Sequence, residues 1–199
     1  MYNFMPVLAA LSRVVLVFSV TFFVPWAWSW WGDEHRLQEV WLLSFAVTFI
    51  CGALVMWRTQ RHRRELMPKD GFMLVNLVWA VLPAFAALPL WLGIPEMDWT
   101  DAYFEAVSGL TATGATVLSG LDELPLAINV WRCFLQLFGG LGIMLLVVAI
   151  LPLLGLGGVQ LYKAETPGPM KDAKLTPRIA ETARGLWGVY FVLSTSCFL

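Results

Sequence analysis

The sequence predicts an all-α, polytopic membrane protein with one re-entrant half-length helix followed by an extended strand. Three observations predict it. Mean hydropathy is +0.71 and 14% of residues are charged, where soluble domains carry about a quarter. Apolar residues gather in runs long enough for helices that cross ~30 Å of hydrocarbon, which takes ~20 residues. A polar, uncharged, glycine-bearing run, SGLTATGATVLSG at 108–120, stands between two of these runs.

The first span is read at 5–31. Arg13 interrupts the apolar run, no small-x-small cleavage site follows, and the run continues to Trp31. That is too long for the core of a secretory signal, so the segment is a retained span. Further spans are expected at 39–57, 71–94 and 129–156. A fifth begins near Leu186 and meets the end of the sequence at Leu199. Helix of that length rises only ~21 Å, so the chain reads as the N-terminal part of a longer protein. The organisation expected is two N-terminal helices with a basic loop (1–70), a two-span unit enclosing the polar run (71–156), a connector (157–185) and the start of a following unit (186–199).

Charge orients these spans. Residues 58–70 hold Arg58, Arg61, Arg63, Arg64 and Lys69, and residues 157–185 hold Lys163, Lys171, Lys174, Arg178 and Arg184. The opposite loops carry Asp33, Glu34, Glu39, Glu96, Asp98, Asp101, Glu105, Asp122 and Glu123 against Arg36 and Arg132. The positive-inside rule places the basic loops and the N-terminus in the cytoplasm. Trp26, Trp28, Trp30, Trp31, Trp41, Trp91, Trp99 and Trp131 then fall near the outer interface, as an aromatic belt would. Net charge is −1, so nothing suggests a nucleic-acid partner; the partner implied is membrane lipid.

Residues 95–128 must start and finish outside, yet their middle is apolar. Thr100 is read as a helix N-cap with Asp101 in the first turn. Helix over 101–110 would run ~15 Å, half the hydrocarbon thickness. The piece therefore enters, stops and returns as TATGATVLSG. Non-helical backbone at that depth survives only against protein or water. Gly114 can take backbone angles closed to other residues, and Thr111, Thr113 and Thr116 add hydroxyls without charge. Carbonyl oxygens beside a helix C-terminus favour a cation, as in ion filters. A loop that only packs against neighbouring helices is the alternative.

Two stretches resemble the Trk-type (TrkH-like) potassium uptake family: DAYFEAVSGLTATGATVLSGLDELP, and WRCFLQLFGGLGIMLLVVAILPLLGLGGVQLYKAETPGPMKDAKLTPRIAETA, with a shorter match at ELMPKDGFMLV. The resemblance covers most of 65–190. It implies four membrane-pore-membrane repeats around one pore in the bacterial inner membrane, each giving one selectivity-filter strand. Thr111, Ala112, Thr113, Gly114, Ala115 and Thr116 would form the first strand. Ala112 and Thr113 would offer backbone carbonyls to the transported potassium ion. Relatives often carry threonine where Ala112 stands; with backbone ligands the resemblance implies unchanged coordination. It also implies a homodimer and a cytosolic nucleotide-binding regulator, which the 163–172 loop KAETPGPMKD would contact. It leaves open whether protons or sodium accompany potassium, as in a symporter. The remaining strands and the gating loop would lie beyond Leu199.

Other features read more plainly. Cys51, Cys133 and Cys197 lie in or beside apolar runs with no metal or disulfide spacing, and are expected as buried small hydrophobes. GGLGIM (139–144) and GLGGV (155–159) lack the strand-then-helix context of a nucleotide loop and suit close helix packing. Thr176 is a candidate cap and Pro177 lies near a helix start. The 58–70 loop is a topology signal, with binding of anionic lipid headgroups as the alternative. His35 and His62 are isolated loop residues. Arg13 can snorkel to the cytoplasmic face. Arg132 is expected to pair with Asp122 or Glu123. Glu105 is expected to be hydrogen-bonded behind the polar strand, or else to lend its field to the outer mouth. A membrane enzyme on a lipid-linked substrate would need facing titratable groups within the spans, and almost none are present. A non-conducting packing partner of a transporter is the other reading.

Overall fold

The computed structural model describes residues 4–60, 68–150 and 175–196. Among them the regular elements are α1 (Met5–Ser19), α2 (Phe23–Trp31), α3 (His35–Thr59), α4 (Pro68–Gly93), α5 (Trp99–Leu110), α6 (Leu126–Ile150) and α7 (Leu175–Ser196), with short 3-10 turns at Val20–Phe22 and Leu121–Glu123. The all-helical expectation holds. Met5–Trp31, His35–Thr59, Lys69–Gly93 and Leu126–Met144 are each long and apolar enough to cross a membrane. The ends move from those read in sequence. α3 starts at His35, because a helix's first turn accepts charged and polar residues that hydropathy counts against it, and α6 starts at Leu126, where the Ile128 and Asn129 amides turn back to the Pro125 carbonyl. Residues 151–156, 155–159 and 163–172 lie outside the described residues, as do His62 and Cys197.

The chain forms two compact units, Met1–Gln136 and Leu137–Leu199. In the first, α1 packs on α3 and α4, α2 on α3, and α4 on α5. The α1 face is set by Val7, Leu11, Val15, Phe18 and Phe22, all buried at three- and four-residue steps. Pro25 has no N–H to return to the Thr21 carbonyl, and the chain tightens to 3-10 geometry over Val20–Phe22 just before it.

Along α3 the buried positions Ser44, Thr48 and Gly52 are small. Lipid gives helices no hydrophobic drive to associate, so close approach through small residues substitutes for it. A Cβ on Gly52 would sit 3.0 Å from Leu16 Cγ. Ser44 and Thr48 return their hydroxyls to the Val40 and Ser44 carbonyls at 2.8 and 2.7 Å, so the stripe exposes no unmet donor. Gly52→Val is expected to cost about 1–3 kcal/mol by overpacking, read as a lower thermal midpoint in detergent. An unchanged midpoint would contradict this packing.

α4 runs through two buried prolines, Pro83 and Pro89. Each removes an intrahelical donor, and neighbouring helices re-satisfy such freed backbone. Here Tyr103 Oη donates to the Ala80 carbonyl at 3.1 Å. Trp131 Nε1 donates to the Ala86 carbonyl at 3.0 Å. Both carbonyls are one residue along from those the prolines leave without a donor.

Two of the tryptophans face the protein interior. Trp41 and Trp131 are fully buried. Trp131 stacks on Phe22 at 4.8 Å and meets Trp41 at 5.6 Å. Trp28, Trp30, Trp31, Trp91 and Trp99 remain exposed. Cys51 and Cys133 are also exposed rather than buried; an apolar outer face suits a small thiol as well as a core does. His35 opens α3 and lies 3.5 Å from Asp33.

In the second unit, a Cβ on Gly140 would come within 2.6 Å of Tyr190 Oη, in keeping with close packing of the 139–144 run. α7 begins at Leu175, well before Leu186, and takes Thr176 and Pro177 into its first turn. Thr176 is therefore inside the helix and not its cap.

Candidate functional site

α5 and the chain that follows it carry the sequence's most polar uncharged run. The N-cap of α5 is Asp98, with extended backbone (φ −73, ψ 156). Thr100 is already helical, which corrects the cap read in sequence. The turn out of the preceding loop is completed at Asp98, two residues earlier. Asp101 does occupy the first turn, where a carboxylate suits the positive helix end. α5 is pressed closely on α6: a Cβ on Gly109 would sit 2.9 Å from Leu135 Cβ.

At the C-terminus of α5 the chain folds back on the helix end. The amide of Thr111 donates to the Val107 carbonyl at 2.8 Å, that of Ala112 to Gly109 at 2.9 Å, and that of Thr113 to Ser108 at 2.9 Å. These bonds meet three of the orphan carbonyls that every helix end leaves. Ser108 Oγ donates to the Ala115 carbonyl at 2.6 Å, and the Thr111 and Thr113 hydroxyls meet at 2.7 Å.

The backbone then alternates in hand. Thr111 has φ −88, Ala112 +52 and Gly114 +76, with Thr113 between them outside the positive region. Positive φ is sparse for any residue with a Cβ. Alternation of this kind turns successive N–H groups to one side and carbonyls to the other. Among the described residues the carbonyls of Thr111, Ala112, Thr113 and Gly114 accept no hydrogen bond. Residues 112–117 are exposed on the surface of the chain.

Behind this segment is a buried carboxylate. Glu105, with its side chain 3% exposed, lies on α5, and its Oε2 accepts Arg132 Nε from α6 at 3.2 Å. Its Oε1 accepts the Val117 amide at 2.7 Å and the Thr116 hydroxyl. Arg132 Nη2 also donates to Thr116 Oγ1 at 3.2 Å. Arg132 therefore pairs with Glu105, not with Asp122 or Glu123. The nearer acids in sequence belong to an exposed 3-10 turn, while α5 places Glu105 opposite Arg132. Thus the structure brings Thr116 onto the carboxylate and leaves Thr111, Ala112, Thr113, Gly114 and Ala115 as the open run. Sequence reading missed Ser108 as a tie and Ala112 as a second left-handed residue. The signal for Ser108 was a hydroxyl one turn before a helix end; none marked Ala112.

Residues 37–199 match the family model described as "TrkH: Cation transport protein". The chain belongs to the TrkH family. The family is one of transporters, not of enzymes. The chain is 54% identical over 155 residues to the Trk system potassium uptake protein TrkH of Vibrio parahaemolyticus, covering 77% of this chain and 32% of that protein. It is 45% identical over 194 residues to the TrkH of Halomonas elongata, covering 97% and 40%. It is 38% identical over 187 residues to the Escherichia coli potassium uptake protein TrkG, covering 94% and 38%. Among solved structures, the crystal structure of the potassium transporter TrkH from Vibrio parahaemolyticus superposes with a TM-score of 0.78 at 41% identity. It covers 98% of this chain and 38% of that one. The chain spans about a third of the length of the TrkH relatives it matches.

Proposed function

We propose that this chain supplies one filter strand of a Trk-type potassium uptake protein, with α4, the half-length α5 and α6 as one membrane-pore-membrane repeat. The observation that carries the reading is the run of four carbonyls at Thr111, Ala112, Thr113 and Gly114 that meet no donor among the described residues, while three amides are tied back to α5. A run of carbonyl acceptors that no protein donor meets is suited to a dehydrated cation. Ala112 and Thr113 are the carbonyls assigned to potassium, which is cargo and not a cofactor. Three further strands of the same kind complete the ring.

The same reading sets α5 as a re-entrant helix entering from the outer face. The length of α5, 12 residues, gives ~18 Å of rise, too short to cross. The excess of Lys and Arg in 58–70 and 157–185 puts the N-terminus in the cytoplasm of a bacterial inner-membrane protein. A homodimer and a cytosolic nucleotide-binding regulator belong to this proposal through the family alone.

Gly114→Ser tests it. A Cβ at Gly114 has room, its nearest neighbour being Gln136 Nε2 at 3.9 Å. What serine lacks is the left-handed backbone, which costs about 1–2 kcal/mol. In potassium-uptake-deficient cells expressing the full-length transporter, potassium-over-sodium preference is expected to fall roughly tenfold. Unchanged preference, with unchanged membrane levels, rejects the assignment.

A further inference from the structure

Away from α5, Arg13 is a charged group well inside a span without a partner among the described residues. Arg13 lies about two turns inside α1. Among the described residues no carboxylate pairs with it and no acceptor takes a hydrogen bond from it. A charge at that position is costly unless it reaches an anion or water. Arg13 lines a cavity of about 90 Å³ with Ala9 of α1 and Met56, Thr59 and Gln60 at the end of α3.

The chemistry of the lining selects an anion. Thr59 Oγ1 already donates to the carbonyls of Val55 at 2.8 Å and Met56 at 3.2 Å. The Arg13 guanidinium and the Gln60 amide are left as donors, and among the described residues no acid lines the cavity. Arg58 stands in the last turn of α3, and the chain that follows is basic through Lys69. A zwitterionic headgroup would bring its own cation into this field; an anionic one would not. Ala9 and Met56 give the cavity an apolar wall. On the outer face of these helices Val17, Leu54, Val55 and Trp57 are exposed, and acyl chains fit such a surface.

We propose that this cavity binds the headgroup phosphate of an anionic phospholipid, anchored bidentately by Arg13 with Gln60 as second donor. The site joins the N-terminal end of α1 to the C-terminal end of α3 and takes its occupant from the membrane. It requires only that α1 and α3 span, and is independent of the ion-filter reading.

The test uses the full-length transporter in nanodiscs of phosphatidylcholine containing a minor fraction of phosphatidylglycerol. Native mass spectrometry then counts the lipid kept after release into detergent. Wild type is expected to keep phosphatidylglycerol at least fivefold over phosphatidylcholine. Arg13→Gln should abolish the preference, Gln60→Ala should reduce it, and Arg13→Lys should keep part of it. Arg36→Gln, at the opposite end of α3, should leave it unchanged. If Arg13→Gln fails to fold, Gln60→Ala and Arg13→Lys carry the test. Equal retention of both lipids by wild type overturns the proposal. So does a preference that survives in all the cavity variants, or displacement of the lipid by millimolar inorganic phosphate. Potassium uptake is scored in the same variants; lost lipid preference with normal ion selectivity separates this site from the filter.

Discussion

Arg132→Ala is expected to destabilise the first unit by roughly 3 kcal/mol, at the lower end for removal of one partner of a buried pair. The loss is larger than that of a surface ion pair because Glu105 is almost fully covered, and removing its cation leaves a buried carboxyl group without its ion-pair partner. It keeps the Val117 amide and the Thr116 hydroxyl, and these alone must then offset its desolvation. Glu105→Ala should cost about as much, by freeing Val117 and Arg132 together. The informative variant is the pair Glu105→Gln with Arg132→Gln. Two neutral amides can bridge α5 and α6 without a buried charge, so the double change should recover more than half of the single losses. Thermal unfolding of wild type, Glu105→Gln, Arg132→Gln and the double variant in one detergent gives the coupling. Additive losses would mean that the two side chains do not act as a unit.

Trp131→Ala is the second large effect, about 3 kcal/mol by analogy with large-to-small core changes. In lipid the transfer of apolar surface from water contributes little, so most of the cost is lost dispersion contact and the cavity left behind. Trp131 touches Phe18, Phe22 and Trp41 and donates to a carbonyl of the proline-broken α4. Alanine removes the stack and the donor together. Trp131→Phe should regain most of the packing but not the hydrogen bond, and fall between alanine and wild type. A phenylalanine variant as unstable as alanine would mean that the bond to the Ala86 carbonyl, rather than the ring stack, holds Trp131 in place.

The four spans were legible because hydropathy over twenty residues averages away local detail. Their ends were not: His35, Arg36 and Glu39 lower the hydropathy of a turn that is nonetheless helical. The half-length of α5 was legible from the apolar stretch closed by TATG; its cap was not, since Asp98 and Thr100 are both cap-forming residues two apart. Tryptophan was the least specific signal. A ring with one polar atom suits a headgroup interface and a core with a spare carbonyl equally, and Trp131 took the second. Arg132 misled for a related reason. Its partner is 27 positions away on α5, whereas proximity along the chain favoured Asp122 and Glu123. Gly114 announced its left-handed backbone by lacking a side chain; Ala112 reaches the same region where three backbone N–H groups, of Thr111, Ala112 and Thr113, donate hydrogen bonds back to α5.

The small-residue stripe on α3 bears on how the chain is made. Val15 and Leu16 meet Gly52, so the fit between α1 and α3 involves only the first sixty residues. Such a hairpin can close in the bilayer while the ribosome is still adding α4. Later helices then dock on a finished template, and a substitution at Gly52 would act on every step of insertion that follows.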